Sequence, residues 1–406
     1  MELKTFRSLF AKHPAIDATA NQLQYSESKV HWKGVANSAR ALFATQLSAQ
    51  VPGHHLFVLQ DKEEAAYFFN DVESLFPDEK NSVFYPASYR SAYHFEETDN
   101  ANVVARAEVL EKINNGNNAW IVTYPQALFE KVPTQQKLTE NTLKVQKGQT
   151  YSLDFMNELL MDDGFERVDF VYEPGQFAIR GGILDVFSFA NDYPFRMEFF
   201  GEELESIRTF DPVDQLSIAK HDFFHIVPNV QKQFIQHGLD TFLGFLGKNA
   251  TVWISSMGEI IHQLDKEYEK AVKAYEGLNH ATIKHSLPGE IYTHTTEWTQ
   301  QIQGYNVVEW GPEFHFKAGF EASFQVHQQP TFNKNFEMLR DDLIAHKKAG
   351  FTNLFFSNQP KQIDRLYSIF EDIGGEVEFI PMPIALHEGF ILPDLKLVCY
   401  TDHQVF

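Results

Sequence analysis

The stretch RVDFVYEPGQFAIRGGILDVFSF, Arg167 to Phe189, decides the architecture of the middle of the chain. Within it, Phe177 and Ile179 share one face of an extended segment, because successive side chains of a strand point to opposite faces. The glycine pair Gly181-Gly182 then turns the chain. The following stretch FRMEFFGEELESIRTF, Phe195 to Phe210, alternates in the same way around its own glycine. Period-two segments joined by glycine turns predict an antiparallel β-meander.

The segments on either side of the meander alternate between strand-like and helix-like patterns. Upstream, His54–Gln60 is a short apolar run, and Lys62–Phe76 carries apolar residues at the three- and four-residue spacing of a helix. Downstream, Ala250–Ser255 and Met257–Leu278 repeat the same pair of patterns. Strands that alternate with helices predict a parallel sheet covered on both faces.

These patterns divide the chain into an α/β domain with an insertion and a smaller unit. The helix-like run YSLDFMNELLMDDGF before the meander makes the insertion an α+β domain. The aromatic- and glycine-rich run from Glu309 to Pro330 is predicted to connect the last unit. The predicted domains are the first half of the α/β domain (1–146), the inserted domain (147–220), the second half of the α/β domain (221–320) and a small α/β domain (321–406).

Composition limits the classes of function. The chain has 406 residues and a formal net charge of -21, so non-specific binding to duplex DNA, which depends on lysine and arginine, is not its expected property. Its one cysteine, Cys399, excludes a disulfide framework and a cysteine-based zinc site. The seventeen histidines show no metal-ligand spacing, so no metal site is predicted. No apolar run is long enough for a membrane span and no secretory signal is present, so we expect a cytoplasmic protein.

The run KVHWKGVANSARALFATQL, Lys29 to Leu47, has the position and spacing of a phosphate-binding loop. Counting from Gly34, the second glycine, the lysine and the hydroxyl of G-x-x-x-x-G-K-[ST] are replaced by Ala39, Arg40 and Ala41. Such a loop needs glycine for close backbone approach, lysine for the β/γ-phosphates and a hydroxyl for Mg²⁺. Arg40 keeps only the positive charge, and we predict a degenerate loop without ATP hydrolysis.

A family resemblance follows from the meander. The run Arg167–Phe189 followed by Phe195–Ser217 resembles the inserted domain of the damage-recognition subunit UvrB, and resembles still more closely the same module at the N-terminus of bacterial transcription-repair coupling factors (Mfd). The flanks are similar to UvrB as well: Trp32–Phe43 falls at its phosphate loop, and Ser82–Phe95 at its tyrosine-rich strand and loop. The resemblance covers the whole chain, with weaker motifs in the last small domain.

The resemblance implies a degenerate helicase-like domain of the P-loop NTPase type. Ser255 and Ser256 fall where UvrB has the two carboxylates of its acidic motif, so the metal-holding charges are also replaced. UvrB carries a long DNA-clamping hairpin beyond the position of Tyr93. Only residues 94 to 105 separate Tyr93 from Arg106 of the next helix here, so we expect that hairpin to be absent.

In the family the inserted domain binds the repair protein UvrA, and the carry-over falls on Arg167, Arg180 and Phe187. Residues 151 to 220 hold fifteen acids against five bases, so these arginines stand out in an acidic surface. Arginine suits such an interface because its planar fork pairs with carboxylates and is weakly hydrated. The other arginines, Arg196 and Arg208, are predicted to pair across neighbouring strands. The phenylalanines are predicted mostly to build the core of the meander, and Phe187 is among them although the resemblance also assigns it to the interface: Phe177, Phe187, Phe199 and Phe200.

We therefore expect an N-terminal fragment that acts as a non-catalytic adaptor and recruits UvrA in nucleotide excision repair of the transcribed strand. The resemblance implies a parent protein whose further domains use ATP and Mg²⁺ to translocate on double-stranded DNA and displace stalled RNA polymerase. No cofactor is predicted for the fragment itself. The alternatives are a UvrB-like, ATP-dependent enzyme that binds damaged DNA, and a DNA-binding module that uses the basic residues of the first domain.

Overall fold

The computed structural model describes residues 1–11, 13–78, 80–88, 92–93, 100–227, 238–278, 286–374 and 376–406. Its helices are α1 (Leu3–Ser8), α2 (Pro14–Gln22), α3 (Ala39–Ser48), α4 (Lys62–Leu75), α5 (Asn100–Asn114), α6 (Pro125–Phe129), α7 (Gln135–Glu140), α8 (Leu153–Asp162), α9 (Phe242–Leu246), α10 (Met257–Leu278), α11 (Pro288–Ile291), α12 (Thr295–Gln301), α13 (Phe336–Lys348), α14 (Pro360–Ile373) and α15 (Asp402–Val405). Among the described residues, no helix combines the length and the apolar character that crossing a bilayer requires.

The strands form three larger sheets and two short ribbons. They are β1 (Lys29–Lys33), β2 (His54–Val58), β3 (Ser82–Phe84), β4 (Trp120–Thr123), β5 (Val132–Pro133), β6 (Leu143–Gln146), β7 (Glu166–Arg167), β8 (Gln176–Arg180), β9 (Ile183–Val186), β10 (Phe195–Phe200), β11 (Glu203–Phe210), β12 (Ser217–His221), β13 (Phe223–Ile226), β14 (Leu239–Asp240), β15 (Ala250–Ile254), β16 (Asn306–Glu309), β17 (Phe320–Ser323), β18 (His327–Gln328), β19 (Thr352–Phe356), β20 (Ile380–Met382), β21 (Phe390–Leu392) and β22 (Leu397–Thr401).

The first sheet has seven parallel strands in the order β17-β1-β16-β15-β2-β4-β3. Strands β15 and β16 lie between β1 and β2, so the segments before and after the insertion interleave in one sheet. Every residue of β15 is buried, which matches the continuous apolar runs of parallel strands with both faces covered. The predicted α/β fold with a parallel sheet is confirmed.

Helix α4 shows how the local sequence sets the layers around this sheet. The carboxylate of Asp61 accepts a hydrogen bond from the Glu64 amide at 2.9 Å and so caps the first turn. The buried apolar residues recur at helical spacing along one face: Ala65, Phe68, Val72 and Leu75. This face packs against the sheet, and the predicted bounds of the helix differ from the observed ones by one residue.

The second sheet is the inserted meander, in the order β12-β11-β10-β9-β8-β7. Its pairs are antiparallel except that β7 runs parallel to β8, a pairing that the meander prediction does not contain. Met197 lies opposite Leu184 on one side and Ile207 on the other, and all three are buried on the face that α8 covers. The inserted domain is therefore α+β, as the sequence predicts.

Two short antiparallel ribbons connect the inserted domain to the first sheet. The chain enters through β5 and β6 and leaves through β13 and β14, with β5 pairing with β14 and β6 with β13. On the second ribbon, His225 Nδ1 lies 3.1 Å from a Glu111 carboxylate oxygen of α5. The segments that enter and leave the inserted domain are thus paired with each other, and the contact between His225 and Glu111 links them to a helix of the α/β domain.

The predicted connector is not merely a linker. Strand β17 extends the seven-stranded sheet as its edge, and the predicted domain boundary at residue 321 falls inside this strand. The ring of Phe324, which follows β17, has its centroid 4.8 Å from the ring centroids of both Trp32 and Phe43. The aromatic residues that suggest an irregular connector therefore anchor it in the core.

The last unit is a five-stranded sheet in the order β18-β21-β22-β19-β20, with helices α13 and α14. Its residues 387–389 dock against the loop after β1 and against α4. The hydrogen bonds run from His387 N to Asp71 Oδ1 (2.8 Å), from Glu388 N to Ser38 Oγ (2.9 Å) and from Asn37 Nδ2 to Gly389 O (2.8 Å). The Tyr67 and His387 rings stack with centroids 3.5 Å apart.

This docking contact predicts a pH dependence of stability. Burial raises the pKa of Asp71 from its ordinary 3.8 to about 7, although hydrogen bonds from Ser38 and His387 oppose the shift. A carboxyl whose pKa is higher in the folded state binds more protons when folded, so its contribution is lost as pH rises from about 4 to about 7. In Asp71→Asn this contribution is absent. We expect the urea midpoint of the variant to increase relative to that of the wild type as the pH rises through this window.

The matched control is Asp265→Asn. This substitution also removes a carboxylate that accepts a hydrogen bond from a hydroxyl group, here that of Thr295 on a different helix. Its urea midpoint should follow the wild type at each pH, apart from a constant offset. A pH profile of Asp71→Asn that is parallel to the wild type would show that the contact does not titrate.

Candidate functional site

The degenerate loop lies at the edge of the sheet where the carboxyl ends of parallel strands meet and where α/β folds usually bind ligands. Gly34, directly after β1, has a φ of 76°, and a Cβ at this position would lie 2.3 Å from the backbone oxygen of Phe324. Glycine is therefore required by the close approach of the chain that follows β17. The loop keeps its shape for a packing reason that involves no phosphate.

The residues in the remaining slots are buried or paired within the chain. Ala39 and Ala41 are fully buried at the start of α3. Arg40 Nη2 lies 2.8 Å from a carboxylate oxygen of Glu64, and the buried Arg40 Nε has no hydrogen-bond partner among the described residues. The one positive charge that the sequence preserves is thus already neutralised.

A cleft of about 630 Å³ separates this loop from Ser255 and Ser256, which follow β15. Ser256 Oγ accepts a hydrogen bond from the Glu259 amide at 3.2 Å, so this serine caps α10. Glu64 and Glu259 both line the cleft, while Arg40 is the basic residue in its wall. The structure brings Gly34, Arg40, Ser255 and Ser256 together in a cleft with two carboxylates.

The central feature of the inserted domain is a buried carboxylate that none of the sequence motifs marks. Asp185 on β9 is fully buried and accepts hydrogen bonds from Arg196 Nε at 2.7 Å and Arg196 Nη2 at 2.8 Å. It also forms an ion pair with Arg180. A single acid in the apolar run ILDVF is the signal that could have identified it, because a buried carboxylate needs charged partners.

Arg180 is held in place from three directions. It pairs with Asp185, donates a hydrogen bond from Nη1 to the Asp169 backbone oxygen at 2.6 Å, and its guanidinium carbon lies 4.8 Å from the centroid of the Phe170 ring. One third of its side chain remains exposed. The structure thus presents Arg180 as an oriented, partly exposed cation.

Arg167 lies on the edge strand β7, on the face of the sheet opposite to Arg180. Its register partner is Phe177 of the core face, and its Nη1 donates to Asn157 Oδ1 of α8 at 3.2 Å. Both Arg167 and Arg180 nevertheless line one groove of about 470 Å³ along β7, together with Phe170. The two arginines therefore flank a groove without sharing a face.

Phe187 lies in the core of the meander, as predicted for the phenylalanines of this domain, and not at the surface to which the resemblance assigns it. It is 5% exposed and packs in a small cluster with Val171, Ala178 and Phe210. It supports the loop after β7 from below and presents no surface to a partner. Phe200, predicted in the core, is 77% exposed because it stands at the turn between β10 and β11.

The remaining arginines of the meander behave as cross-strand pairs. Arg196 lies opposite Asp185 in the β9–β10 register and binds both of its carboxylate oxygens through Nε and Nη2. Arg208 forms an ion pair with Glu198 of the neighbouring strand. The predicted pairing of these two arginines is confirmed. The segment 94–99, where the UvrB hairpin is expected to be missing, lies outside the described residues.

Comparison with known proteins agrees with this architecture. Residues 143–231 match the UvrB interaction domain, a range that begins at β6 and extends beyond β13. The transcription-repair-coupling factor of Bacillus subtilis is 27% identical across 92% of this chain, and that of Haemophilus influenzae is 29% identical across 34%. UvrABC system protein B of Streptococcus agalactiae is 25% identical across 53%.

The aligned region covers 38% of the Bacillus factor and 34% of the Streptococcus protein, so this chain spans well under half the length of these relatives. The match to the interaction domain includes the whole stretch from Arg167 to Ser217 that carries the resemblance in the sequence. The chain is therefore a homologue of transcription-repair-coupling factors and of UvrABC system protein B, and it contains a UvrB interaction domain at residues 143–231.

Proposed function

We propose that this chain serves nucleotide excision repair coupled to transcription, as an adaptor that recruits UvrA through its inserted domain. The names of its relatives, a transcription-repair-coupling factor and a component of the UvrABC system, support the repair role. The observation that carries the proposal of a docking site is the oriented Arg180 at the groove beside β7.

The chemistry of this groove suits a partner that carries carboxylates. Asp185 brings one negative charge, and Arg180 and Arg196 bring two positive ones, so the cluster keeps a net positive charge. Because Arg180 is already fixed by Asp185 and Phe170, little side-chain freedom is lost when a partner binds it. Arginine with an aromatic neighbour is the composition that dominates binding energy in protein interfaces.

The degenerate loop supports a role without nucleotide chemistry for this part of the protein. Its cleft offers Arg40 in an ion pair, two serines in place of carboxylates, and the acids Glu64 and Glu259 in its wall. A triphosphate would meet repulsion there, and Mg²⁺ would find neither the loop hydroxyl nor the acidic motif of an active site. This arrangement disfavours the alternative of a UvrB-like, ATP-dependent enzyme.

We further propose that the activities of the full-length protein belong to other segments. In this proposal, the parent's ATP- and Mg²⁺-dependent translocation on double-stranded DNA and its displacement of RNA polymerase lie outside residues 1–406. This chain supplies the contact to UvrA.

One prediction of this proposal concerns Arg167 and Arg180. The double variant Arg167→Ala/Arg180→Ala should weaken UvrA binding at least about tenfold, or about 1.4 kcal/mol, because the groove loses both of its cations. Binding can be measured by calorimetry or by biolayer interferometry with purified UvrA. Circular dichroism and the melting temperature should stay near wild type, because Asp185 keeps both hydrogen bonds from Arg196.

The control is Lys361→Ala/Arg365→Ala, which removes two exposed positive charges from α14. It should bind UvrA like the wild type, which separates a local effect from the loss of net charge. Undiminished binding by Arg167→Ala/Arg180→Ala would reject the assigned docking site.

The second prediction concerns nucleotide. Titration of the wild-type chain with ATP and Mg²⁺ should give no saturable heat, because Arg40 is paired with Glu64. In Glu64→Gln the arginine is released, and we expect weak ATP binding to become measurable. A wild-type dissociation constant below about 1 mM, equivalent to about 4 kcal/mol, would contradict the adaptor proposal and favour the UvrB-like enzyme.

A further inference from the structure

We propose that the UvrA-docking surface continues from the arginine groove onto an apolar rim formed by two neighbouring loops. The rim consists of Phe170 and Tyr172 in the loop after β7, and of Val213 and Leu216 in the loop between β11 and β12. These side chains are 50%, 55%, 85% and 66% exposed, in that order. This inference rests on the proposed function and extends it to a second group of contacts.

The two loops are held beside one another by Gln215. Its Nε2 donates to the Val171 backbone oxygen at 3.4 Å and to the Pro212 backbone oxygen at 2.8 Å. Its Oε1 accepts from Arg196 Nη2 at 2.9 Å. Because Arg196 in turn binds Asp185, one hydrogen-bond network fixes both loops and the groove.

The loop between β11 and β12 is internally ordered as well. The carboxylate of Asp211 accepts hydrogen bonds from the amides of Val213 and Asp214 at 2.7 and 3.3 Å, and the carboxylate of Asp214 accepts one from the Leu216 amide at 2.8 Å. Successive turns of this kind hold the backbone in one shape. Val213 and Leu216 are therefore presented to solvent by a structured loop.

The rim and the groove are physically continuous. The Phe170 ring lies under the guanidinium of Arg180, so one residue belongs to the rim and also orients the arginine. The buried cluster of Val171, Ala178, Phe187 and Phe210 packs beneath both loops. Any partner that reaches Arg180 from solvent meets the exposed ring of Phe170 beside it.

The distribution of charge indicates the partner's chemistry. Asp185, Arg196, Arg208 and Lys220 lie opposite one another across four strands, so they form a row on one face of the sheet. With Arg180, this face carries four of the five bases of residues 151–220, whereas fifteen acids share the same segment. A partner rich in carboxylates is least repelled at this face.

Exposed apolar side chains grouped beside cations are typical of protein-docking surfaces. The occupant that fits is a surface of UvrA with an apolar patch flanked by carboxylates. The apolar contact would give affinity that salt does not screen, while the arginine contact would give affinity that salt weakens.

The test uses Val213→Ser/Leu216→Ser, which removes half of the rim and leaves the contacts of Arg180 intact. The matched control is Phe155→Ser/Phe223→Ser, which removes two exposed phenylalanines from α8 and from the ribbon strand β13, both within residues 143–231. We expect the rim variant to bind UvrA at least about tenfold more weakly, with an unchanged salt dependence and a smaller negative heat-capacity change, because less apolar surface is buried. The control should bind like the wild type, and both variants should keep its melting temperature.

The outcomes separate the two proposals. If the wild type does not bind UvrA, the proposed function fails and the rim fails with it. If Arg167→Ala/Arg180→Ala loses binding while the rim variant binds like the wild type, the arginine site stands and the rim is rejected. Equal losses in the rim variant and the phenylalanine control would also reject the rim, because the effect would not be local.

Discussion

The interleaving of strands in the seven-stranded sheet is the constraint on which the rest of the structure depends. Since β15 and β16 lie between β1 and β2, the sheet cannot form until the chain has passed through the inserted domain and returned. The segments that lead into and out of the insertion pair with each other in the ribbons β5/β14 and β6/β13. A binding domain carried on two paired crossings has a fixed attachment, unlike one on a single flexible linker.

Within the inserted domain, one buried carboxylate has a comparable role. Removing Asp185 from water without a partner would cost several kcal/mol, so its place in the core requires a charged partner. Arg196 donates two hydrogen bonds to this carboxylate. Arg180 forms an ion pair with it while part of the Arg180 side chain stays in solvent. The same demand for pairing that stabilises the sheet thus orients a cation toward a groove. Gln215 extends this order to the neighbouring loop through its hydrogen bond with Arg196.

The sequence predicts the parts of this structure that depend on local periodicity. The helix α4, the strands of the meander and the position of the degenerate loop follow from apolar spacing and glycine turns. The order β1-β16-β15-β2 does not follow, because β1/β16 and β2/β15 join segments that lie far apart in the sequence, and such pairing leaves no local pattern. Aromatic richness suggests a connector at 309–330, yet Phe324 packs on Trp32 and makes the preceding segment an edge strand. Phe200 lies at the surface and not in the predicted core for a related reason: alternation assigns faces but does not show where a strand ends.

The loop after β1 is held by contacts within the chain. Gly34 must remain glycine because the backbone oxygen of Phe324 occupies the space of a Cβ. Asn37 and Ser38 hold the backbone of residues 387–389, so the loop has become a seat for the last unit. Arg40 pairs with Glu64 of α4 and links α3 to that helix. Asn37, Ser38 and Arg40 thus have partners within the chain, and these contacts hold the loop in place.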